Sequence, residues 1–398
     1  MSWKLARMSM TKPSAGGRWS AVRDGEGDRL PPRLRAEGAF TPWPLPSELD
    51  LSQRTYRLLA DGQEMLGRLD EAAARLATLS PLVRSTQVRE VQLSAQLDGI
   101  SAALLEVLVS LLPGVKPGNK VTPKVSRYLR ASDTGFAALR AGADIDGELM
   151  SEVAAAFADT GTTDVWRTDH AWLGGTEAFL LASPPGVETK VAFEQFVTWS
   201  AAESDLTVLA KVALGTYLLE VLRPFRYGNG HIARLYVGLE LTRSRVLRGQ
   251  VLPISTWINR NLTAYRAQVR RVADTGEYEP WIAFFAAGVA EVCRDELALI
   301  RTLRQTHQDL EPKLKRRTGN IRKVFNGLLA TPVTNHRQIA EIHGISNKNA
   351  NDVCGRLVDA GVLESLGGYG KVYFSPVLVR QLSLTDPRLD DPTAPNPI

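Results

Sequence analysis

Apolar side chains recur every three or four positions over most of the chain, and this period predicts a mainly α-helical protein. Leu51, Leu58, Leu59, Leu66, Leu69, Ala73 and Leu76 mark one long amphipathic helix, and Arg89 to Ser110 reads as another. Leu111 to Asn119, with Pro113, Gly114, Pro117 and Gly118, breaks the pattern before Tyr128, Leu129, Phe136 and Leu139 resume it, and Asp144 to Phe157 continues it. Two buried helices follow, one through Leu206, Val208, Leu209, Val212, Ala213, Tyr217, Leu218 and Val221, the next from Leu235, Val237, Leu239 and Leu241. Between 161 and 185 the period shortens: Val165-Trp166-Arg167, Ala171 to Gly175 and Phe179-Leu180-Leu181, separated by turn residues, predict a short hairpin. A helix through Glu291 to Arg304 leads to a basic joint, Lys313 to Arg317. From Ile321 a small module begins. Val324, Leu328 and Leu329 belong to a first helix, Gln338 to Ile342 to a second, and Ser346 caps a third through Val353, Leu357 and Val358. Val362 to Ser365 and Val372 to Phe374 then flank a glycine loop, Gly367-Gly368-Tyr369-Gly370, as a closing hairpin.

Composition narrows the class without naming a chemistry. The 398 residues are 44% hydrophobic and 23% charged, as in ordinary globular domains, and long enough for two or three of them. A net charge of +5 permits contact with nucleic acid but does not argue for it. Cys293 and Cys354 stand far apart with no metal-ligand spacing, which suits a reducing cytoplasm. No apolar run reaches the roughly 18 residues of a membrane span, so no membrane partner is expected. Residues 1–38, rich in Gly, Arg, Pro and Ser, read as a disordered tail, and 381–398, rich in Pro and Asp, as a second.

The candidate chemistry lies in the join between the two buried helices, Arg223-Pro224-Phe225-Arg226-Tyr227-Gly228-Asn229-Gly230-His231-Ile232-Ala233-Arg234. Pro224 ends the first helix, and Gly228-Asn229-Gly230 supplies backbone able to turn at positive φ. Such a turn gathers N–H groups, and the N-terminus of the next helix adds its dipole, so the loop is a candidate anion hole. Arg234 can add a bidentate fork to a phosphate there.

This stretch resembles the signature of the Fic family, His-Pro-Phe-x-[Asp/Glu]-Gly-Asn-Gly-[Arg/Lys]-x-x-Arg, whose members typically transfer AMP from ATP to a hydroxyl of a target protein. Pro224, Phe225, Gly228, Asn229, Gly230 and Arg234 match; Arg223, Tyr227 and His231 depart. The resemblance implies a helical Fic-type core with a small hairpin flap, and nucleotide phosphates held by Gly228, Asn229, Gly230, His231 and Arg234. Arg223 occupies the position of the general base, which a guanidinium cannot be near neutral pH. Tyr227 occupies that of the metal-holding acid, and a phenol is a poor ligand for magnesium, so ATP is the implied nucleotide while a magnesium site is not expected. His231 is the alternative base.

Four further resemblances extend along the chain. Ser94-Ala95-Gln96-Leu97-Asp98-Gly99 resembles the Fic inhibitory motif, [Ser/Thr]-x-x-x-Glu-[Gly/Asn], with Asp98 as the acid that would compete for Arg234. Trp172-Leu173-Gly174-Gly175 resembles the flap over which such proteins lay a target protein, and Val251 to Arg260, Tyr265 and Trp281 to Phe285 the wall around the nucleotide base, although these aromatics equally suit a core. The last module resembles a winged helix, with Lys348, Asn351, Arg356 and, on the wing, Lys371 as candidate DNA contacts beside Asn347 and Asn349. Winged helices also serve as protein docking or dimer modules, so a homodimer is a second expectation.

The expected organisation is a Fic N-terminal helical region over 39–120, a Fic core over 121–305, a basic linker over 306–318 and a winged-helix domain over 319–380. Three functions fit it. One is a divergent nucleotide binder without transfer activity; the others are an adenylyltransferase using an unusual base, and a DNA-binding regulator whose Fic body is a sensor or scaffold.

Overall fold

Helical periodicity becomes helix along most of the chain. The computed structural model describes residues 12–13, 15–22, 30–75, 79–116, 120–157, 164–174, 177–314, 319–367 and 371–383. Leu76, Gly118 and Asn119, Gly161, Gly175, Lys315-Arg316-Arg317, Gly368-Tyr369-Gly370, half of the predicted N-terminal tail and most of the C-terminal one lie outside the described residues.

The order begins with β1 (Lys12–Pro13), β2 (Gly17–Ser20), α1 (Pro32–Glu37), β3 (Ala39–Pro42), α2 (Gln53–Ala74), α3 (Leu79–Leu97) and α4 (Leu104–Ser110). It continues with α5 (Thr122–Arg140), α6 (Gly147–Ala155), β4 (Trp172–Leu173), β5 (Leu180–Leu181), α7 (Val187–Ala201), α8 (Val208–Leu222) and α9 (Asn229–Arg243). Then come α10 (Ile254–Arg260), α11 (Leu262–Thr275), α12 (Glu279–Leu310), α13 (Asn320–Gly327), β6 (Val333–Asn335), α14 (His336–His343), α15 (Asn347–Asp359), β7 (Glu364–Ser365), β8 (Val372–Phe374) and α16 (Pro376–Ser383). The chain divides into two units: Met1–Glu64, Arg130–Val246 and Asn261–Ala290 make the first, and Met65–Leu129, Leu247–Arg260 and Glu291–Ile398 the second.

In the first unit α8 and α9 are buried on nearly every face, as expected of central helices whose apolar residues run all round. Part of the predicted N-terminal tail belongs here. Gly17 to Ser20 pair antiparallel with Ala39 to Pro42, in the register Trp19 opposite Phe40, and Leu34 of α1 is fully buried with Leu30, Ala39 and Leu181. The reading of 1–38 as disordered therefore fails for 15–22 and 30–38, because Trp19, Leu30 and Leu34 supply a small core that a Gly- and Pro-rich composition hides. The hairpin forms as β4 and β5, while Val165 to Arg167, expected to join it, pairs elsewhere.

In the second unit the helix expected from Arg89 to Ser110 is two. At Gly99 φ is +81°, Ile100 N–H donates to Ala95 O at 2.8 Å and Gly99 N–H to Gln96 O at 2.9 Å. Those are the two bonds of a glycine C-terminal cap. The period persists across the break, so hydrophobic spacing alone could not show it. Buried Arg89 makes a two-pronged ion pair with Glu296, at 2.9 Å on each prong, and Glu90 accepts from Ser255 N–H (2.9 Å) and Oγ, capping the start of α10. The described part of the expected linker, 306–314, is structured: α12 runs to Leu310, and Leu314 is fully buried.

The C-terminal module has a three-stranded antiparallel sheet in the order β6-β8-β7 beside α13, α14 and α15. Strand β6 was not anticipated, being only three residues long. Its face joins Leu105, Val109 and Leu112 of α4 and its end to Val372, Phe374 and Val379 in one core, and Asn335 Nδ2 donates to Pro113 O at 2.9 Å. The module is thus continuous with the helical region rather than hung from it.

Candidate functional site

Helix α8 stops at Leu222 because Arg223, next to Pro224, takes the left-handed conformation with φ +45°, one of two non-glycine residues with positive φ among those described. That backbone state is uncommon for a residue with a Cβ, and the surroundings hold it. Arg167 is the holder. Its Nε donates to Arg223 O at 2.6 Å, and its Nη2 to the carbonyls of Ser183 and Leu222 and to Thr189 Oγ1. Nη1 donates to Asp169 O at 3.1 Å. Val165 to Arg167 runs extended beside the loop: Arg226 N–H donates to Val165 O at 2.7 Å, and Arg167 N–H to Pro224 O at 3.3 Å.

Phe225 anchors the loop, buried among Trp166 and Phe193 with ring centroids 5.7 and 5.2 Å away. Asn229 then closes it, for its Oδ1 accepts from Phe225 N–H at 2.9 Å and its Nδ2 donates to Phe225 O at 2.7 Å. Of the three residues expected to turn at positive φ, only Gly228 does (φ +72°), capping α9; Asn229 and Gly230 are already helical. A Cβ on Gly228 would lie 2.6 Å from the Phe157 ring. Arg234 consequently sits in the second turn of α9 and is buried.

The departures from the signature differ in their surroundings. His231, expected at the surface of the anion hole, is 0% exposed and meets Phe157 edge-on with centroids 5.6 Å apart. As the third residue of α9 it packs against a phenyl ring away from solvent, and neither the alternative-base nor the phosphate-contact expectation for His231 fits this arrangement. Tyr227 is 52% exposed, and the Arg226 guanidinium lies over its ring at 5.9 Å. Among the described residues no group of three or more His, Cys, Asp or Glu could hold a metal.

Arg223 keeps charged company. Its Nη1 is 3.8 Å from Glu220 Oε1. The buried Tyr265 phenol feels Glu220, Arg234 and Arg223 together: burial pushes its pKa well up, Glu220 adds to that, and the two arginines oppose it. Burial, then the like charge of Arg223, pushes Arg167 down to about 10. Arg167 and Glu220 gave no sequence signal; the first is recognised only by carbonyls and a hydroxyl far away along the chain.

Elsewhere, Ser94 is buried on α3, and Asp98 lies in the turn that Gly99 closes, its Oδ2 accepting from Tyr128 OH at 3.0 Å. In α15 the residues Ala350, Val353, Cys354 and Leu357 face the core. Lys348 and Arg356 are exposed, but so are Asp352 and Asp359, and the face is balanced in charge; Asn351 is half-buried and Lys371 exposed. No helix among the described residues is long and apolar enough to cross a membrane.

The geometry defines a class first, a mainly α protein with a loop pinned between two central helices and a hairpin nearby. Comparison with known proteins narrows it. The sequence profile of the Fic/DOC family N-terminal region matches residues 56–137. A Fic family protein from Desulfovibrio desulfuricans G20 superposes with a TM-score of 0.55 at 16% identity, over 83% of this chain and 98% of that one. Residues 134–508 of Fic-1 from C. elegans give 0.47 at 18% identity, over 62% and 73%, and a Fic domain containing signaling protein from Bacteroides thetaiotaomicron gives 0.44 at 18%, over 62% and 95%. Residues 56–137 are thus similar to the Fic/DOC N-terminal region, and the chain shares its fold with the Desulfovibrio protein.

Proposed function

We propose that the Arg223 to Arg234 loop binds the phosphates of a nucleotide, ATP being the ligand the resemblance implies, without transferring AMP by way of an imidazole base or a bound metal. The observation that carries this is the pairing of a loop locked by Asn229 onto Phe225 with two arginines, Arg223 and Arg234, at its ends. A fixed loop leading into the N-terminus of α9 presents N–H groups and a positive dipole end to an anion. Arg223 stands where a proton acceptor would be needed, and a guanidinium offers donors only.

Calorimetry on the full chain tests the reading. ATP is expected to bind equally with magnesium and with EDTA, Arg234→Ala to abolish binding, and labelled ATP to leave no mark on the chain or on a lysate. Absence of heat with any nucleotide, or labelling of protein hydroxyls, overturns it. The inhibitory role implied for Ser94, Asp98 and Gly99 belongs to the same reading: Asp98→Gly should tighten ATP binding several-fold. The balanced face of α15 favours no DNA reading beside it.

A further inference from the structure

Two guanidinium groups, Arg167 and Arg223, meet at the end of α8. Arg167 is buried and all its recorded partners are carbonyls or hydroxyls: Ser183 O, Leu222 O, Arg223 O, Asp169 O and Thr189 Oγ1. Part of its charge is offset by the negative end of the α8 dipole, about half a unit. Arg223, whose carbonyl Arg167 grips, adds a second guanidinium, and the carboxylate the structure sets against it is Glu220, three residues back and 3.8 Å away. That distance is at the outer edge of an ion pair and too long for the hydrogen bond a firm pair would make. Arg223 is 20% exposed at its side chain and Glu220 12%, so the pair sits where a ligand can reach and where screening is weak.

We propose that Arg223 is a second phosphate-binding arginine, parked against Glu220 in the empty site and transferred to a polyphosphate when one binds. This deepens the reading above and rests on it. The replacement of an imidazole by a guanidinium adds a cation, Tyr227 in place of a carboxylate removes an anion, and His231 in place of an arginine or lysine removes a cation, so relative to the signature the loop gains one net positive charge, placed at Arg223. The ligand class is a triphosphate or inorganic polyphosphate taken up without metal. The loose contact to Glu220 costs little to break, and a phosphate offers Arg223 the bidentate acceptor Glu220 does not.

The test titrates the full chain with inorganic tripolyphosphate and with ATP, in EDTA. Arg223→Gln should weaken tripolyphosphate binding roughly 10- to 100-fold, the loss of hydrogen bonds to a charged group. Arg223→Lys should fall between it and the original. Glu220→Gln should tighten binding several-fold, a gain that a merely structural role for the pair would not give, and the double variant should match Arg223→Gln alone. If Arg223→Gln and Glu220→Gln both bind tripolyphosphate as the unaltered chain does, while Arg234→Ala still abolishes binding, this inference falls and the nucleotide reading stands. If the unaltered chain binds neither ligand, the reading falls and takes the inference with it.

Discussion

The carboxamide of Asn229 hydrogen-bonds both main-chain ends of Phe225, accepting from its N–H at 2.9 Å and donating to its carbonyl at 2.7 Å. A side chain here replaces a peptide partner, adding to the main-chain bonds that Val165 to Arg167 makes with the loop. Asn229→Ala leaves two buried polar groups unpaired and should lower stability by about 1–3 kcal/mol. Chemical denaturation followed by circular dichroism measures this; an unchanged midpoint would mean that water replaces the carboxamide. The Asn229 side chain holds the loop, which leaves the backbone of the loop as what it would offer a phosphate.

Gly228 combines a backbone requirement with a steric one, φ +72° and the Phe157 ring 2.6 Å from where a Cβ would stand. Gly228→Ala should cost about 1–2 kcal/mol for the left-handed conformation, with the clash added. Phe157→Leu in the same chain should relieve only the clash. A double-mutant cycle read by thermal melting is expected to give a coupling above about 0.5 kcal/mol.

Arg89 and Glu296 form a buried ion pair, their side chains 1% and 3% exposed. Arg89→Met should destabilise by about 3–5 kcal/mol, since a lone carboxylate remains among apolar neighbours, whereas Arg89→Met with Glu296→Leu should recover most of that loss. Urea midpoints for the two variants decide it.

The second unit should lose stability in mild acid. Burial is the first cause that pushes the pKa of His307, His336 and His343 below the ordinary value, helped by Arg322, by Lys371 and Arg337, and by Lys323 respectively, while His307 is partly held up by the backbone of Phe325. The unfolded chain then takes up protons first as pH falls below about 6.5. In that window the unfolded state carries more bound protons, so stability falls with pH, and above about pH 7 these groups contribute no slope. Melting temperatures from pH 7.5 to 5.5 should drop, and His307→Leu, whose ring packs on Phe325 at 4.2 Å, should shallow the drop.

What the sequence disclosed followed the kind of signal each part leaves. The paired central helices were legible because Leu209, Val212, Leu218 and their neighbours are apolar at helical spacing, and the loop because glycine and proline punctuate it. The break at Gly99 was not, since Leu97 and Leu104 keep the period across it. Trp19 and Leu34 were lost in a composition that reads as tail. At the candidate site, Pro224, Phe225 and Gly228 announced themselves, while Arg167 could not: an arginine that grips main-chain oxygens at 183, 222 and 223 needs no partner residue types for a reader to find. His231 misled for a related reason, because its neighbour Phe157 lies more than seventy positions away.

Because Leu105, Val109 and Leu112 share their core with Val333, Val372 and Phe374, a cleavage after residue 318 would separate two half-surfaces rather than two proteins. Each fragment would carry a greasy strip in search of its mate, so the pieces should precipitate apart and reassemble when mixed. Any experimenter trimming this chain for crystals would do well to leave that seam whole.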